Sequence, residues 1–314
     1  MALTPLPFYL VNAFTTDSPH SGNQAGVVIF PADDPRSKDD AYQLNVAKDI
    51  YYSETAFLVP VSPGRWGLRW WTPESEVKLC GHATLASARV LFSLHPELNE
   101  IKFDTKWSGE LRAEKIRDQG NSTSIKIFLP TWSTDVLDRL VAGKAQKTEE
   151  YRSTVAKILG VETEDVIEVA PFQAGFAGDI IQLRPSVDLA SLRPDAKAFV
   201  PFSPQMTIVT QVDEAASVPG KLAIKSRVHC DDFGIGEDPV TGSAHAYLAA
   251  YWLYTDAKET VKRLVGEVEP EQVTIDARQL SERGGKLEVQ LVGGGQVSIV
   301  GSASEMGKGT LSVW

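Results

Sequence analysis

Short runs that are either continuously apolar or alternate between hydrophobic and polar residues occur in both halves of the chain and predict β-strands. They include FYLVNAF, AGVVIF, TAFLVPV, WGLRWWT and STSIKIFLP in the first half, and DVIEVA, DIIQLRP, QMTIVTQV and KLAIKSRVHC in the second. Each half also has one helical segment, over 81–95 and over 241–255, that is apolar on most sides and is expected to be buried. This pattern favours a curved sheet around a central helix in each half over a regular βαβ alternation.

Three further segments have helical spacing: SKDDAYQLNVAKDI, which begins with a Ser cap, TEEYRSTVAKILG and VDLASLRPDAKAF. The tail from 272 to 314 predicts four or five short strands with glycine turns, and VGGGQ within it is typical of a hairpin turn. The predicted fold class is therefore α/β in the broad sense, that is, α+β with mostly antiparallel strands. It consists of two similar domains, each a curved, mostly antiparallel sheet or barrel around its central helix.

A chain of 314 residues is longer than one typical hydrophobic core, so two domains are expected. We predict an N-terminal half over 1–131, a polar crossover over 132–147 and a C-terminal half over 148–300. A final strand over 301–314 is free to return to the N-terminal domain. Superimposing Gly81 on Gly242 also pairs Ala83 with Ala244 and Ala88 with Ala249, which is weak evidence for two similar halves because such residues are common in helices.

Charge and composition exclude several classes of protein. A net charge of −10 argues against nucleic acid or an anionic membrane as the main partner, because both select clustered Lys and Arg. No apolar run reaches the ~18 residues that span a bilayer, and the first residues lack the basic segment of a signal peptide. Two cysteines, Cys80 and Cys230, form no disulfide framework, so a reducing cytoplasmic location is expected. No metal-ligand spacing or nucleotide-binding glycine motif is present, and the four carboxylates of DDFGIGED lack the spacing of a calcium loop.

Both central helices begin directly after a short polar motif, Cys80-Gly81-His82 in one half and Thr241-Gly242-Ser243 in the other. A helix start offers backbone N–H groups without intrahelical partners and the positive end of the helix dipole. Two such starts that face each other across a domain cleft would form an anion site suited to a carboxylate. The alternative is structural: Thr241 and Ser243 cap a helix and Gly81 turns the chain.

Three ionisable residues, Glu54, His82 and Asp238, are candidates for the chemistry. Glu54 lies between aromatic and apolar neighbours, where burial would hold its carboxyl protonated near neutral pH. Asp238 is held extended before a proline and could cap a helix or receive a substrate amine or hydroxyl. The alternatives are a solvent-facing Glu54 on an edge strand and a His82 bonded to backbone.

The stretches VNAFTTDSPHSGNQAGVVIF, SETAFL, CGHATLASA, EDPVTGSAHAYLAAYW and the glycine-rich tail occur in the order found in the phenazine-biosynthesis F-type (PhzF-like) isomerases, which resemble diaminopimelate epimerase in fold. The resemblance covers nearly the whole chain. It implies an isomerase without metal or cofactor, a small carboxylated substrate bound between two domains, and a homodimer. It also implies roles for seven residues: Glu54 as general acid/base, His82 and Asp238 as its catalytic partners, and Ser53, Gly81, Gly242 and Ser243 in substrate binding.

Two alternatives stay open beside the proton-shifting isomerase. Epimerases that resemble this chain use one thiol at each helix start, and here Cys80 matches the first thiol whereas Pro239 falls at the second. An amino-acid epimerase or racemase is therefore the second interpretation, and Cys80 is expected not to be an essential base. The third is a metabolite-binding protein with a degenerate site, against which the joint presence of Glu54, His82, Asp238 and Ser243 argues.

Overall fold

The computed structural model describes residues 4–18, 20–118, 122–130, 149–174, 176–203, 205–230, 236–293 and 295–312. The chain divides into two compact units, one formed by Met1–Pro130 with Ser298–Trp314 and the other by Thr131–Val297. The crossover predicted over 132–147 lies outside the described residues. Among the described residues, no helix combines the length and the apolar character needed to cross a bilayer.

The first unit is a closed barrel of eight strands around a helix. Its strands are β1 (Leu6–Thr15), β2 (Asn23–Ile29), β3 (Glu54–Ser62), β4 (Arg65–Trp71), β6 (Glu100–Thr105), β7 (Glu110–Asp118), β8 (Ser122–Pro130) and β16 (Gln296–Leu311). They are hydrogen-bonded in that order, and the pairing of β1 with β16 closes the barrel. The short strand β5 (Glu76–Val77) pairs with β4, and helix α1 (Asp40–Ile50) packs against β3 and β4.

Helix α2 (Gly81–Leu94) is the central helix of this barrel. It contacts β1, β2, β3, β7 and β8, and every residue from Gly81 to Phe92 is buried. The helix is apolar around most of its circumference because strands surround it. Small residues such as Ala83 and Ala86 allow those strands to approach closely. The prediction of a buried helix that begins at Gly81 is confirmed.

The second unit is a sheet of six strands in the order β9 (Val166–Ala174), β10 (Phe176–Leu183), β11 (Met206–Val212), β12 (Lys221–His229), β14 (Thr274–Gln279) and β15 (Gly285–Leu291), with β13 (Glu237–Asp238) beside β12. Its helices are α3 (Glu149–Leu159), α4 (Gly242–Tyr254) and α5 (Lys258–Val265). Helix α4 is the counterpart of α2, because its residues are buried from Ala244 to Leu253.

The two units repeat one order of strand pairing. In the first, β1–β2 is antiparallel, β2–β3 parallel, β3–β4 antiparallel, β4–β6 parallel and β6–β7 antiparallel. In the second, the pairs β9–β10, β10–β11, β11–β12, β12–β14 and β14–β15 follow the same alternation. The predicted fold class, two similar and mostly antiparallel units around central helices, is confirmed.

Several local predictions were wrong. Helix α1 is capped by Asp39, whose side chain accepts from the Tyr42 N–H, rather than by a serine. The segment VDLASLRPDAKAF contains turns and a single 3-10 turn, Ala196–Phe199, because Pro194 cannot continue a helix. Helix α5 was not anticipated.

The tail contains three strands instead of four or five, because β16 runs unbroken over sixteen residues. Gly301 stays within this strand since a Cβ there would lie 2.3 Å from the ring of Phe14. Gly301 is therefore needed inside the strand, rather than in a turn of the tail, because the Phe14 ring packs closely against it. The predicted VGGGQ hairpin turn does lie between β15 and β16, with positive φ at Gly293 and Gly295.

Candidate active site

A polar cluster in the first unit gathers residues from β2, β3 and the start of α2. Glu54 is the first residue of β3 and pairs with Ala25 of the neighbouring strand β2. His82 is the second residue of α2, directly after Cys80 and Gly81. The barrel therefore brings together two segments that are 28 positions apart in the chain. Of the predicted site residues, Ser53, Glu54, Gly81 and His82 belong to this cluster.

His82 is the hub of the cluster. Its Nε2 lies 3.2 Å from Oε2 of Glu54 and 3.3 Å from Oγ of Ser53. Its Nδ1 lies 3.3 Å from Nδ2 of Asn23 and 3.4 Å from Sγ of Cys80. Ser53 in turn donates to Oδ1 of Asn23 over 3.4 Å. The imidazole is thus oriented from both of its nitrogens, which directs Nε2 at the Glu54 carboxylate.

The Glu54 carboxyl is shielded from water. Its side chain is 14% exposed, and its Oε2 atom is buried without a hydrogen bond of good geometry from a described residue. Burial raises the pKa of Glu54 from 4.5 to about 7, and a hydrogen bond from Ser53 opposes this rise only in part. A carboxyl with such a pKa exchanges protons at neutral pH, as a general acid/base must.

Neither central helix is capped by the side chain at its N-terminus. Cys80 and Thr241 hold these N-cap positions in extended conformations, and neither side chain accepts a hydrogen bond from its helix. The first helical bonds are Thr84 N–H to Cys80 O in α2 and His245 N–H to Thr241 O in α4. The N–H groups of the first turn are therefore not used by the helices' own backbone or caps. The expectation that Thr241 caps its helix through its side chain is not met.

The second unit holds Asp238, Gly242 and Ser243 around the start of α4. Asp238 ends β13, pairs with Val228 of β12 and is 6% exposed. Its carboxylate accepts a hydrogen bond from the Thr241 hydroxyl, which explains why that hydroxyl does not cap the helix. Gly242 is buried and Ser243 is half-buried. The prediction that the Gly81 and Gly242 helix starts face each other concerns the arrangement of the two units and stays a prediction.

Gln279 organises this second cluster. Its Nε2 donates to the Asp238 carbonyl over 2.5 Å and to the Thr241 hydroxyl over 3.3 Å, while its Oε1 accepts from the Thr241 N–H over 2.9 Å. The side chain is fully buried. Gln279 was not among the predicted site residues, although strand alternation offers a signal: Ile275, Ala277 and Gln279 share the buried face of β14, and Gln279 is the polar one.

Asn23 was missed for a different reason. It begins β2, is 1% exposed and contacts both His82 and Ser53. Its segment GNQAG reads as a turn, which predicts no contact with a residue almost sixty positions away. The signal is present only as part of the family-like stretch that contains it.

The other buried histidines of the described chain have structural environments. Nδ1 of His245 donates to the Thr241 carbonyl over 2.7 Å, and its Nε2 accepts from the Ser226 hydroxyl over 3.0 Å. Burial lowers the pKa of His245 to about 4. Burial also lowers the pKa of His229 to about 4, and its ring stacks on Phe199. Both are therefore neutral at physiological pH.

Among the described residues, one group has the donor atoms of a metal site. Single ligand atoms of Glu54, Cys80 and His82 all lie within 4.8 Å of one another. The carboxylates of Asp231 and Asp232 lie outside the described residues. The arrangement in the first unit can therefore move a proton through Glu54 or hold a cation through three side chains.

Comparison with known proteins agrees with this architecture. The family model of the phenazine biosynthesis-like proteins (PhzC/PhzF) matches residues 11–309. A mouse phenazine biosynthesis-like domain-containing protein is 30% identical over 98% of this chain and 99% of its own. A protein of Halalkalibacterium halodurans, named an uncharacterized isomerase, is 32% identical over 91% of each chain.

Solved structures extend the likeness. A crystal structure of a PhzF-family protein from Enterococcus faecalis has a TM-score of 0.74 and 28% identity, covering 98% of this chain and 99% of its own. A probable proline racemase from Agrobacterium radiobacter, at 12% identity and a TM-score of 0.57, covers 98% of this chain and 92% of its own. This second likeness concerns the fold alone. With a matching family model over nearly its whole length and relatives at 30% identity or more, the chain belongs to the phenazine biosynthesis-like (PhzC/PhzF) family.

Proposed function

We propose that this protein is a cofactor-independent isomerase that shifts a proton within a small carboxylated metabolite, amino-acid-like or cyclic. The observation that carries the proposal is the Glu54 carboxyl, buried beside His82 at the start of α2 with its pKa raised to about 7. The isomerase name of the Halalkalibacterium relative supports the reaction class.

The proton shift needs one group that both takes and gives a proton. The Glu54 carboxylate takes a proton from a substrate carbon, becomes a carboxylic acid, and returns that proton to another atom of the same molecule. Atoms and electrons balance within the substrate, so no oxidant or reductant is needed. A pKa near neutrality suits both half-reactions, because neither the charged nor the protonated form is strongly disfavoured.

The neighbouring groups support this cycle in distinct ways. His82 is held by Asn23 with Nε2 toward Glu54, so it can stabilise the carboxylate or bond a substrate oxygen. Asp238, bonded to Thr241, is suited to receive a substrate amine or hydroxyl. The starts of α2 and α4 each present the positive end of a helix dipole, which suits a substrate carboxylate. Stabilising the charge of that carboxylate makes the neighbouring carbon easier to deprotonate.

One observation favours a second candidate, an amino-acid epimerase or racemase. Cys80 forms no disulfide, and its Sγ lies 3.4 Å from Nδ1 of His82 and within 4.8 Å of a carboxylate oxygen of Glu54. A thiol and a carboxyl are two potential bases. We favour the single-base proton shift because both lie on the same unit and converge on one imidazole.

We propose a cytoplasmic setting, because neither Cys80 nor Cys230 forms a disulfide, as suits a reducing compartment. The acidic net charge suits a protein that binds a small molecule rather than nucleic acid or membranes. A homodimer is the assembly we propose, on the family resemblance alone.

The test is proton exchange with solvent. Small carboxylated metabolites are incubated with the protein in D2O, and NMR detects deuterium incorporated at carbon. Glu54→Gln keeps the size and hydrogen bonding of the side chain but cannot transfer the proton. We expect this variant to bind the active compound nearly normally and to turn it over at least ~10²-fold more slowly.

Glu97→Gln is the matched control, because that side chain is 67% exposed and lies beyond the C-terminal end of α2, whereas the cluster lies at the N-terminal end of this helix. It should exchange at the wild-type rate. Turnover by Glu54→Gln at the rate of the wild type would show that Glu54 is structural and that the proposed function assigns its central role wrongly.

A further inference from the structure

The cluster at the start of α2 contains three different kinds of metal-binding donor. Cys80 provides a thiol, His82 an imidazole and Glu54 a carboxylate, and one ligand atom of each lies within 4.8 Å of the others. These are the ligand types that Zn²⁺ binds most often in proteins. The sequence alone does not suggest this set, because Glu54 is far from the Cys-x-His pair in the chain.

The distances suit a tetrahedral ion once the Cys80 side chain rotates. Zinc bonds of about 2.0 to 2.3 Å place tetrahedral ligand atoms roughly 3.3 to 3.7 Å apart. Here Oε2 of Glu54 lies 3.2 Å from Nε2 of His82, whereas Sγ of Cys80 lies 4.0 Å from Nε2 and 3.4 Å from Nδ1 of the same ring. A zinc ion bound to Nε2 holds its sulfur ligand farther from Nδ1 than from Nε2, so the short Cys80 side chain must rotate and bring Sγ to the Nε2 edge of the imidazole.

The surroundings favour a soft divalent ion over a hard one. Cys80 and His82 are both nearly buried, at 6% and 5% exposure, and a thiolate excludes Mg²⁺ and Ca²⁺ as preferred ions. Asn23 and Ser53 contact the imidazole and hold it in place, as outer-shell partners of metal-bound histidines do. The positive end of α2 opposes a cation. Because thiolate and carboxylate together neutralise the two charges of Zn²⁺, the complex at this helix end has no net charge.

We propose that Glu54, Cys80 and His82 form an inhibitory Zn²⁺ site. The ion binds Sγ of Cys80, Nε2 of His82 and a carboxylate oxygen of Glu54, with water or a substrate oxygen as fourth ligand. Binding releases the thiol proton and any proton on Glu54 to solvent, and zinc remains divalent throughout.

Inhibition follows from the competition of zinc and proton for the same carboxylate. A Glu54 oxygen bound to zinc cannot take a proton from substrate carbon, so turnover stops while the ion is bound. This consequence rests on the proposed function. The binding itself does not, since it depends only on the three side chains.

Binding is measured first, without substrate, on the full-length chain freed of any histidine tag. Isothermal titration with Zn²⁺ should give one site per chain. Co²⁺, which takes the same ligands and is coloured, should show the thiolate-to-cobalt charge-transfer band of a cysteine-bound ion. Cys80→Ser should lose this band and bind Zn²⁺ at least ~10-fold more weakly, given the effect of losing even outer-shell groups.

Cys230→Ser is the matched control, because Cys230 is the other cysteine, is also buried without a disulfide and belongs to the second unit. It should keep both the band and the affinity. A thermal melt shows whether each variant is folded. Absence of zinc binding by the folded wild type, or a cobalt band that survives Cys80→Ser and disappears in Cys230→Ser, would overturn the site.

The second arm follows solvent exchange by a substrate found in the D2O screen. Zn²⁺ should slow the wild-type reaction and a chelator should restore it, whereas Cys80→Ser should need at least ~10-fold more zinc for the same loss. Exchange that is unchanged or accelerated by bound zinc would overturn the inhibitory role. If no compound exchanges at all, the proposed function fails. The zinc site is then still decided by the titration and the cobalt band, which need no substrate.

Discussion

At the scale of single residues, the buried Glu54 carboxyl makes the stability of the folded chain depend on pH. Its pKa is about 7 in the folded state and near 4.5 when solvated, because burial disfavours the charged form. Between these values the folded state binds more protons than the unfolded state. The free energy of unfolding therefore falls as pH rises from about 4.5 to about 7, and the protonated carboxyl is the stabilising form.

Glu54→Gln removes this dependence, because its amide stays neutral. Relative to the wild type, we expect the variant to gain stability on going from pH 5 to pH 8, by an amount on the order of 2 kcal/mol. Urea unfolding of both proteins at the two pH values measures the difference. The exposed control Glu97→Gln should show no such gain. A constant difference between wild type and Glu54→Gln would mean that the Glu54 carboxyl ionises as freely as in water.

Cys80 allows a second test at this scale. Its thiol contacts His82 but is not needed for a proton shift through Glu54. We expect Cys80→Ala to keep most of the turnover, since the substitution removes one small buried atom and no acid/base of the cycle. Exchange in D2O measures it. A loss as large as that of Glu54→Gln would instead make the thiol an essential base.

The sequence predicted residue types better than residue contacts. Glu54 was predicted because its neighbours in the chain are apolar, and His82 because it lies at a helix start. Asp238 was predicted because the following proline constrains its backbone. Asn23 and Gln279 were missed because their importance lies in hydrogen bonds to distant segments, which no local pattern contains.

At the scale of elements, the start of α4 depends on a side chain from another strand. Gln279 of β14 satisfies the Thr241 N–H and the Asp238 carbonyl, both of which are buried. Replacing it with leucine removes the side-chain hydrogen bonds to both groups, a loss that costs about 1–3 kcal/mol. The short strand β13 and the first turn of α4 should then loosen together.

We expect Gln279→Leu to lower the free energy of unfolding by about 1–3 kcal/mol and to reduce turnover, because Asp238 loses its fixed orientation. Urea titration and solvent exchange measure the two effects. Gln296→Leu is the control: this exposed residue begins β16, and only its backbone is hydrogen-bonded in the turn. If Gln279→Leu were as stable and active as Gln296→Leu, the contacts of Gln279 would have no organising role.

Elements with a strong local period were predicted well, and those decided by tertiary contact were not. Helix α2 begins at the predicted residue because Gly81 and the small apolar residues after it form a clear pattern. The segment before Pro194 has helical spacing of apolar residues but packs as turns. The length of β16 depends on Phe14 occupying the space beside Gly301, and a contact between residues nearly three hundred positions apart leaves no local signal.

At the scale of the whole molecule, one pattern of strands and helices occurs twice, but its chemistry does not. The N-cap of α2 is the thiol-bearing Cys80, and the N-cap of α4 is Thr241, whose hydroxyl is bonded to Asp238. Aligned glycines alone gave only weak evidence for this repeat, because spacing in one helix does not reveal strand order. The repeated order of parallel and antiparallel pairs establishes it.

The unequal chemistry of the two units predicts the stereochemical outcome. Inversion at carbon requires a base on one face and an acid on the other, and in thiol epimerases each helix start supplies one. Neither Pro239 nor Thr241 has a side chain with a thiol or carboxyl that could act as a base, whereas the first unit contains both Glu54 and Cys80. We therefore expect deuterium from D2O to enter the substrate at the carbon that receives the proton, in one configuration, with existing stereocentres retained. NMR combined with chiral chromatography measures label and configuration together. Label at an original stereocentre, accompanied by loss of optical rotation, would replace the proton-shift isomerase with an epimerase and would require a second base that ionises near neutral pH.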